Sequence, residues 1–288
     1  MRRWQARSLW SLFWVILASL VLIGMSWLQS SLFPQLPEPP PTPVRSPDPH
    51  SPMAIRTKID CRQIPRDRLM VALAFGQSNS ANFGNQRRTA QASVYHFHAG
   101  NCYRAADPLL GADGNGGSVW TRLGDKIVQQ GLFDHVLFAS IGLGGSEIRR
   151  WTPGGDLHPR LTTTIQQLTT AGFGITHLLW HQGETDAALG TPTEIYQHRF
   201  TAMLESIRST GVQAPIYVSI ASRCEEILPQ PSIQAAQRAL VNPAQGILPG
   251  PNTDELDGAD RYDRCHFSAS GLDKAADLWL AALMAPAP

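Results

Sequence analysis

Leu69-Met-Val-Ala-Leu-Ala-Phe-Gly-Gln-Ser-Asn79 is the stretch on which the fold turns. Its apolar run from Leu69 to Phe75 suits a buried strand, and the glycine and polar residues that follow suit an exposed turn. In open α/β sheets the ligand crevice lies outside the carboxyl ends of the strands. A hydroxyl at Ser78 therefore stands in that crevice, with its backbone N–H available to an anion. Taken alone, the stretch fits a Gly/Ser/Asn turn without chemistry equally well.

Downstream, strands and helices alternate. Ser93 to His98 reads as a short strand, and Ser118 to Gln130 has the apolar spacing of a helix closed by Gly131. His135 to Ile141 is a strand ending in Gly142-Leu-Gly-Gly-Ser146, and Leu161 to Thr170 a helix stopped by Gly172. Thr176 to Trp180 is a strand ending at His181-Gln-Gly-Glu184. A helix over 193–210, a strand over 215–220, and helices over 232–241 and 270–284 complete the pattern. Such alternation predicts a mainly parallel sheet covered on both faces, a three-layer α/β/α sandwich.

Upstream, Arg2, Arg3 and Arg7 precede an uncharged stretch, Leu9 to Leu28, long enough to cross ~30 Å of hydrocarbon as a helix. It is longer than the roughly 7–15 apolar residues of a signal peptide and lacks a small-x-small cleavage site, so an uncleaved anchor is expected over residues 1–31. No Lys or Arg follows until Arg45, which sets the N-terminus in the cytoplasm and the rest outside. The proline-crowded stretch 32–54 reads as an extended spacer, and 55–288 as one domain. The 288-residue chain has a formal net charge of +1, so no strong field calls for nucleic acid.

The predicted strand ends carry the reactive residues. Ser78 follows the first, Gly144 and Gly145 the second, Gln182 and Glu184 the third, and Arg223 the fourth. A polar loop before the last helix holds Asp263 and His266, close enough in sequence for the carboxylate to meet one ring nitrogen and leave the other for Ser78. Gly144 and Gly145 present no side chain to an approaching oxyanion, and the Gln182 amide is a neutral donor of the kind an oxyanion hole uses.

Gly76-Gln-Ser-Asn79, Gly144-Gly-Ser-Glu-Ile-Arg-Arg-Trp151, Trp180-His-Gln-Gly-Glu-Thr-Asp186 and Asp263-Arg-Cys-His266-Phe-Ser-Ala-Ser-Gly271 occur in that order. In this the chain resembles the SGNH (GDSL-like) hydrolases, and among them the sialate O-acetylesterase-like group that includes carbohydrate esterase family six. The resemblance implies Ser78 as nucleophile, His266 as general base and acid, and Asp263 as its orienter. It further implies oxyanion donors from the Ser78 and Gly145 backbone and the Gln182 side chain, with no metal or cofactor. Gln77, Asn79, Glu184 and Arg223 are the candidates for substrate binding. Ser80 stands where the family often has methionine, and Cys265 where an apolar residue is usual. The pattern Gly-x-Ser-x-Gly is not met at Ser78.

The expected function is a serine esterase removing O-acyl, above all O-acetyl, groups from a carbohydrate. An O-acyltransferase using the same triad and a catalytically silent, membrane-tethered carbohydrate-binding protein are the alternatives. Glu184 and Asp186 read as structural acceptors rather than a glycosidase pair. His96, His98, His177 and His181 lack a metal-like spacing. Arg149, Arg150 and Trp151 fit either a sugar cleft or an exposed turn beside a core tryptophan.

Four cysteines outside the cytoplasm allow three complete pairings. Cys224, just past the fourth strand, and Cys265, in the loop of Asp263 and His266, belong at one sheet edge. The expected disulfides are therefore Cys224–Cys265 and, by remainder, Cys61–Cys102. The topology is open to test: protease added to spheroplasts should release an active fragment from the membrane. A mature N-terminus near Ser30 would replace the anchor with a signal peptide.

Overall fold

A computed structural model describes residues 56–224 and 229–286. The expected anchor and proline spacer lie outside the described residues. Among the described residues, no helix is long and apolar enough to cross a membrane.

Eight strands form one sheet: β1 (Lys58–Ile59), β2 (Leu69–Gly76), β3 (Val94–His98), β4 (Asn101–Arg104), β5 (His135–Ser140), β6 (His177–His181), β7 (Ile216–Ile220) and β8 (Ile247–Asn252). Their order is β1-β4-β3-β5-β2-β6-β7-β8. The neighbours from β3 to β8 pair in parallel, and β4 runs antiparallel to β1 and β3. The sheet is thus mixed, with a parallel body and an antiparallel margin. β2 lies at its centre, with β5 on one side and β6 on the other, so the chain switches sides across the end of β2, where α/β sheets open a crevice.

All eight residues of β2 are buried, and they alternate between two cores. Leu69, Val71, Leu73 and Phe75 enter one, with side chains from the helices His158–Thr170 (α2), Thr193–Ser209 (α4) and Pro231–Ala239 (α5). Met70, Ala72 and Ala74 enter the other, with Val119–Gln129 (α1) and Ala269–Met284 (α6). This is the period-two geometry of a strand, and it explains why β2 is apolar without interruption. Each of its large side chains, once buried, contributes roughly 1.5–3 kcal/mol.

Besides the two-residue β1 and the short 3-10 turns, three elements were absent from the expected pattern. β8, Ile-Leu-Pro-Gly-Pro-Asn, has the composition of a loop; it forms at the sheet edge, where prolines cost fewer ladder bonds. β4 follows β3 through Ala99 and Gly100, both at positive φ, a two-residue hairpin turn with Ala where Asn is the usual signal. The third is the short helix Glu184–Ala188 (α3), which starts directly after the β6 turn. Both expected disulfides are present: Cys61–Cys102 ties the residues after β1 to β4, and Cys224–Cys265 joins the end of β7 to the loop before α6.

Two histidines are sealed in this interior. Burial, with cationic neighbours adding to it, holds His96 and His181 down to about 3. Unfolded histidine takes up its proton near 6.5, so each costs folding stability as pH falls from there towards 3, at about 1.4 kcal/mol per pH unit. Asp107, pushed up to about 6 by burial, works in the opposite sense and offsets part of this between 6 and its unfolded value. His96→Gln should therefore flatten the fall of melting temperature between pH 6.5 and 4. An unchanged slope would show that His96 is not the group being titrated.

Candidate active site

The site begins where β2 stops. Gly76 has φ +131°, and a Cβ there would lie 2.0 Å from the His181 carbonyl oxygen, so only glycine lets β6 pass this closely. Gln77 N–H then donates to that same oxygen at 3.0 Å, and Ser78 opens a 3-10 turn over 78–80. Trp120 Nε1–H of α1 donates to Ser80 O at 2.7 Å and holds the turn from below. Ser78 is 5% exposed, and its N–H has no protein acceptor among the described residues.

The turn forms one wall of a cleft of about 450 Å³ whose lining includes Ser78, Gly144, Gly145, Glu184, Cys265 and His266. The expected triad residues Ser78 and His266 thus share one cavity, and Asp263 is bonded to His266. Asp263 Oδ2 pairs with His266 Nδ1 at 2.7 Å, while Oδ1 accepts the N–H groups of His266 at 2.6 Å and Cys265 at 3.0 Å. Burial opposes the Asp263 charge, but hydrogen bonds from the His266 ring and the two N–H groups outweigh it and hold the carboxyl below its usual range. With Nδ1 committed, Nε2 is the nitrogen left for a proton relay.

Several bonds tie down the loop of Asp263 and His266. Arg261 is 4% exposed and donates to the carbonyls of Leu256 at 2.6 Å, Thr253 at 2.7 Å and Cys265. Asn79 Nδ2 adds a second donor to Cys265 O at 3.3 Å, and Cys265 is covalently bound to Cys224. Phe83 stacks on the His266 ring at 5.0 Å between centroids, and Tyr262, 51% exposed, flanks it at 6.2 Å.

Of the expected oxyanion donors, the two backbone groups belong to residues that line the cleft. Gly144 N–H is taken by Asp113 Oδ2 at 3.2 Å, which leaves Gly145 N–H, at φ +65°, without a protein partner among the described residues. Gln182 departs from expectation. Its side chain is fully buried, and Nε2 donates to Asp186 Oδ2 at 2.6 Å and Ser146 O at 3.1 Å, with Gln77 Oε1 at 3.3 Å. An amide has two such hydrogens, so buried acceptors exhaust it before any substrate arrives. Its Oε1 accepts the Tyr196 hydroxyl at 3.0 Å.

The substrate candidates separate in the same way. Gln77 Oε1 accepts the N–H groups of Gly183 at 3.2 Å and Thr185 at 3.1 Å, and so organises the β6 turn. Asn79 spans the site, donating to Glu184 Oε1 at 2.8 Å as well as to the loop. Arg223 turns to Asp254 O at 3.0 Å and pairs with Asp257 at 3.5 Å, away from the cleft lining. Glu184 lines the cleft, whereas Asp186 is a structural acceptor for Ile148 N, Gln182 and Thr191. Trp151 is buried, its indole N–H on Ser146 Oγ at 3.1 Å, and belongs to the core. His96, 1% exposed, bonds Leu110 O, and no cluster among the described residues could hold a metal ion.

Phe83, Asp113 and Tyr262 were not anticipated. For Asp113 the one available signal is the glycine-rich run Gly111-Ala-Asp-Gly-Asn-Gly-Gly117, which marks a tight loop but not its location.

The sequence profile of a family described as carbohydrate esterase, sialic acid-specific acetylesterase, matches residues 68–284. No curated protein matches the chain. Among solved structures, one similar to it is a protein from Arabidopsis thaliana, with 16% identity, 75% of this chain and 97% of that one covered, and a TM-score of 0.62. NanS is similar at 15% identity, 76% and 97% coverage, and 0.55. A putative GDSL-like lipase from Parabacteroides merdae follows at 14%, 76% and 97%, and 0.51. At these identities the likeness is one of fold.

Because Cys224 and Cys265 both line the cleft and Cys265 adjoins His266, reducing this bond should lower activity before the domain unfolds. Ester hydrolysis and near-ultraviolet circular dichroism, followed together against reductant concentration, check this. Coincident loss of both would mean that the bond supports the whole fold.

Proposed function

The chain belongs to the carbohydrate esterases of the sialic acid-specific acetylesterase family and is a carboxylic ester hydrolase; from that premise we propose that it removes O-acetyl groups from a carbohydrate through an acyl-serine intermediate. The observation that carries this reading is the Asp263–His266 pair at 2.7 Å, with His266 lining the same cleft as Ser78.

The Ser78 hydroxyl adds to the ester carbonyl carbon while His266 Nε2 takes its proton, and Asp263 stabilises the imidazolium that forms. The carbonyl oxygen, now an anion, accepts the N–H groups of Ser78 and Gly145. Collapse breaks the bond to the sugar oxygen, which receives the proton from His266 and leaves as a hydroxyl. Water then repeats the sequence on the acetyl-serine, releasing acetate and restoring Ser78.

The rim favours a sugar. The exposed Tyr262 ring beside His266 offers a flat face to a pyranose, as aromatic side chains with one wet side commonly do. Among the described residues, the cleft lining contains Asp113 and Glu184 but no Lys or Arg, which suits an uncharged acetylated sugar better than an anionic one. We also propose that Leu9 to Leu28 anchors the protein, with the catalytic domain outside the cytoplasm on its proline spacer. Transfer to a sugar hydroxyl would share the same intermediate, and adding a sugar acceptor to the assay separates the two.

On a chromogenic acetyl ester, Ser78→Ala and His266→Ala should each lower turnover by at least ~10³-fold. The double variant should be no worse, since the two groups act as one unit. Wild-type turnover in folded Ser78→Ala would rule the mechanism out.

A further inference from the structure

A second cavity opens on the sheet edge that carries Ser78. It encloses about 330 Å³, and its lining includes Phe97, His98 and Ile141 from the sheet side and Arg160, Thr163 and Gln167 from α2. His98 ends β3 and Ile141 follows β5, so the cavity lies outside the carboxyl ends of those strands, as the catalytic cleft lies outside those of β2 and β6. The two are neighbours. Gly111 lines this cavity and Asp113 the cleft; Ile141 lines this cavity and Gly144 the cleft. Three residues of chain span at most about 11 Å, so the two cavities come within that distance along both loops.

Their charged linings are opposite. The catalytic cleft presents carboxyl groups, whereas this cavity presents a guanidinium and no acid. Arg160 Nη2 donates to Gly111 O, which occupies one of its five N–H groups, and no carboxylate among the described residues lies within ion-pair distance of it. Asp113, the one acid that acts on Arg160 through space, accepts the N–H groups of Gly114 at 2.8 Å and Gly144 at 3.2 Å. Among the described residues, the His98 ring, the Thr163 hydroxyl and the Gln167 amide have no protein hydrogen-bond partner, and all three line the cavity. Burial, with the charges of Arg160 and Arg56 adding to it, holds the His98 ring below the usual histidine range. The ring is therefore neutral near pH 7 and offers one donor and one acceptor. A single positive charge, three uncharged polar groups and an apolar floor converge on one space, the composition of a binding site for a small polar ligand.

We propose that this cavity is a subsite for an acidic sugar unit, a hexuronate, next to the acetylated unit held at Ser78. Arg160 takes the carboxylate, whose two oxygens match the guanidinium fork. Thr163, Gln167 and His98 meet the ring hydroxyls, and Phe97 and Ile141 cover the apolar face of the ring. A phosphate would bring up to two charges to a single guanidinium and leave the apolar floor uncovered, whereas a monoanion with a hydroxylated body uses every group in the lining. The substrate class that follows is an oligosaccharide in which a neutral acetylated unit adjoins a carboxylated one. Negative charge disfavoured by Asp113 in the cleft is thus accommodated one unit away.

This inference rests on the carbohydrate esterase reading, and one arm of its test is independent of that reading. Sodium glucuronate, glucose and inorganic phosphate are titrated calorimetrically into the full-length protein at low salt, with Ser78 free or sulfonylated by methanesulfonyl fluoride. Glucuronate should bind about tenfold more tightly than either of the others in both states. Arg160→Gln, which keeps a donor for Gly111 O and removes the charge, should erase that margin. In the second arm, KM is measured for an acetylated oligosaccharide containing a uronate and for the same oligosaccharide with its carboxyl reduced to the alcohol. The uronate form should show a KM about tenfold lower at equal kcat. Arg160→Gln should make the two alike while its turnover of a chromogenic acetyl ester stays at the wild-type level. Absence of glucuronate binding, phosphate binding as tightly, loss of binding on sulfonylation, or a margin that survives Arg160→Gln would each overturn the subsite. So would equal KM values for the two oligosaccharides. Failure of the wild-type protein to hydrolyse any acetyl ester would instead remove the esterase reading, and the titrations would still decide the site. If Arg160→Gln does not fold, the double variant Thr163→Val with Gln167→Ala decides: a loss of about tenfold in glucuronate affinity supports the subsite and unchanged affinity overturns it.

Discussion

Burial of β2 on both faces is the constraint from which the site follows. A strand whose alternate residues must enter two separate cores cannot slip by one position without exchanging Phe75 for Ala74 and leaving one core overfilled and the other hollow. Its register against β5 and β6 is therefore fixed, and with it the height at which the strand ends. At that height the β6 backbone presses on Gly76, and the chain has to turn. Ser78 lies where it does because a hydrophobic count has run out, not because anything at the surface holds it.

Past the strand ends, hydrogen-bond economy takes over. Gln77, Asn79, Gln182, Asp186, Tyr196 and Gln237 form a buried polar layer in which carbonyls, amides and a carboxylate find partners among themselves. Satisfied networks of this kind are stiff, since removing any member leaves another stranded. Three groups left over, the N–H of Ser78, the N–H of Gly145 and Glu184 Oε2, belong to residues lining one cleft, while Ser80 Oγ and His181 Nδ1 are unpartnered outside its lining.

That division also explains what could be read from the sequence. The apolar runs of β2, β5, β6 and β7 announce themselves because burial demands them, and Asp263 with His266 was legible because their contact is local. The disulfides were legible once the topology placed the β7 end and the loop of Asp263 and His266 at one edge. Gln182 was not, since its chemistry names it a donor while its role depends on how many buried acceptors reach it first, a matter of three-dimensional neighbours. Trp151 carries the same lesson: the residue type fits a sugar platform, but its neighbours Phe75 and Trp180 make it core. β8 was hidden because an edge strand tolerates the prolines that a central one would reject.

The Cys61–Cys102 bond has a mechanical meaning. β1 pairs with β4 over only two residues, Lys58 and Ile59, so tension applied at the N-terminal side could peel it away one ladder step at a time. The covalent link bypasses that weak seam and delivers the load to Cys102, a fully buried residue in the middle of β4 whose neighbour β3 is hydrogen-bonded into the parallel body. Whatever tugs on the leading segment of this chain, the strain is spread through the sheet before it can reach the turn that carries Ser78.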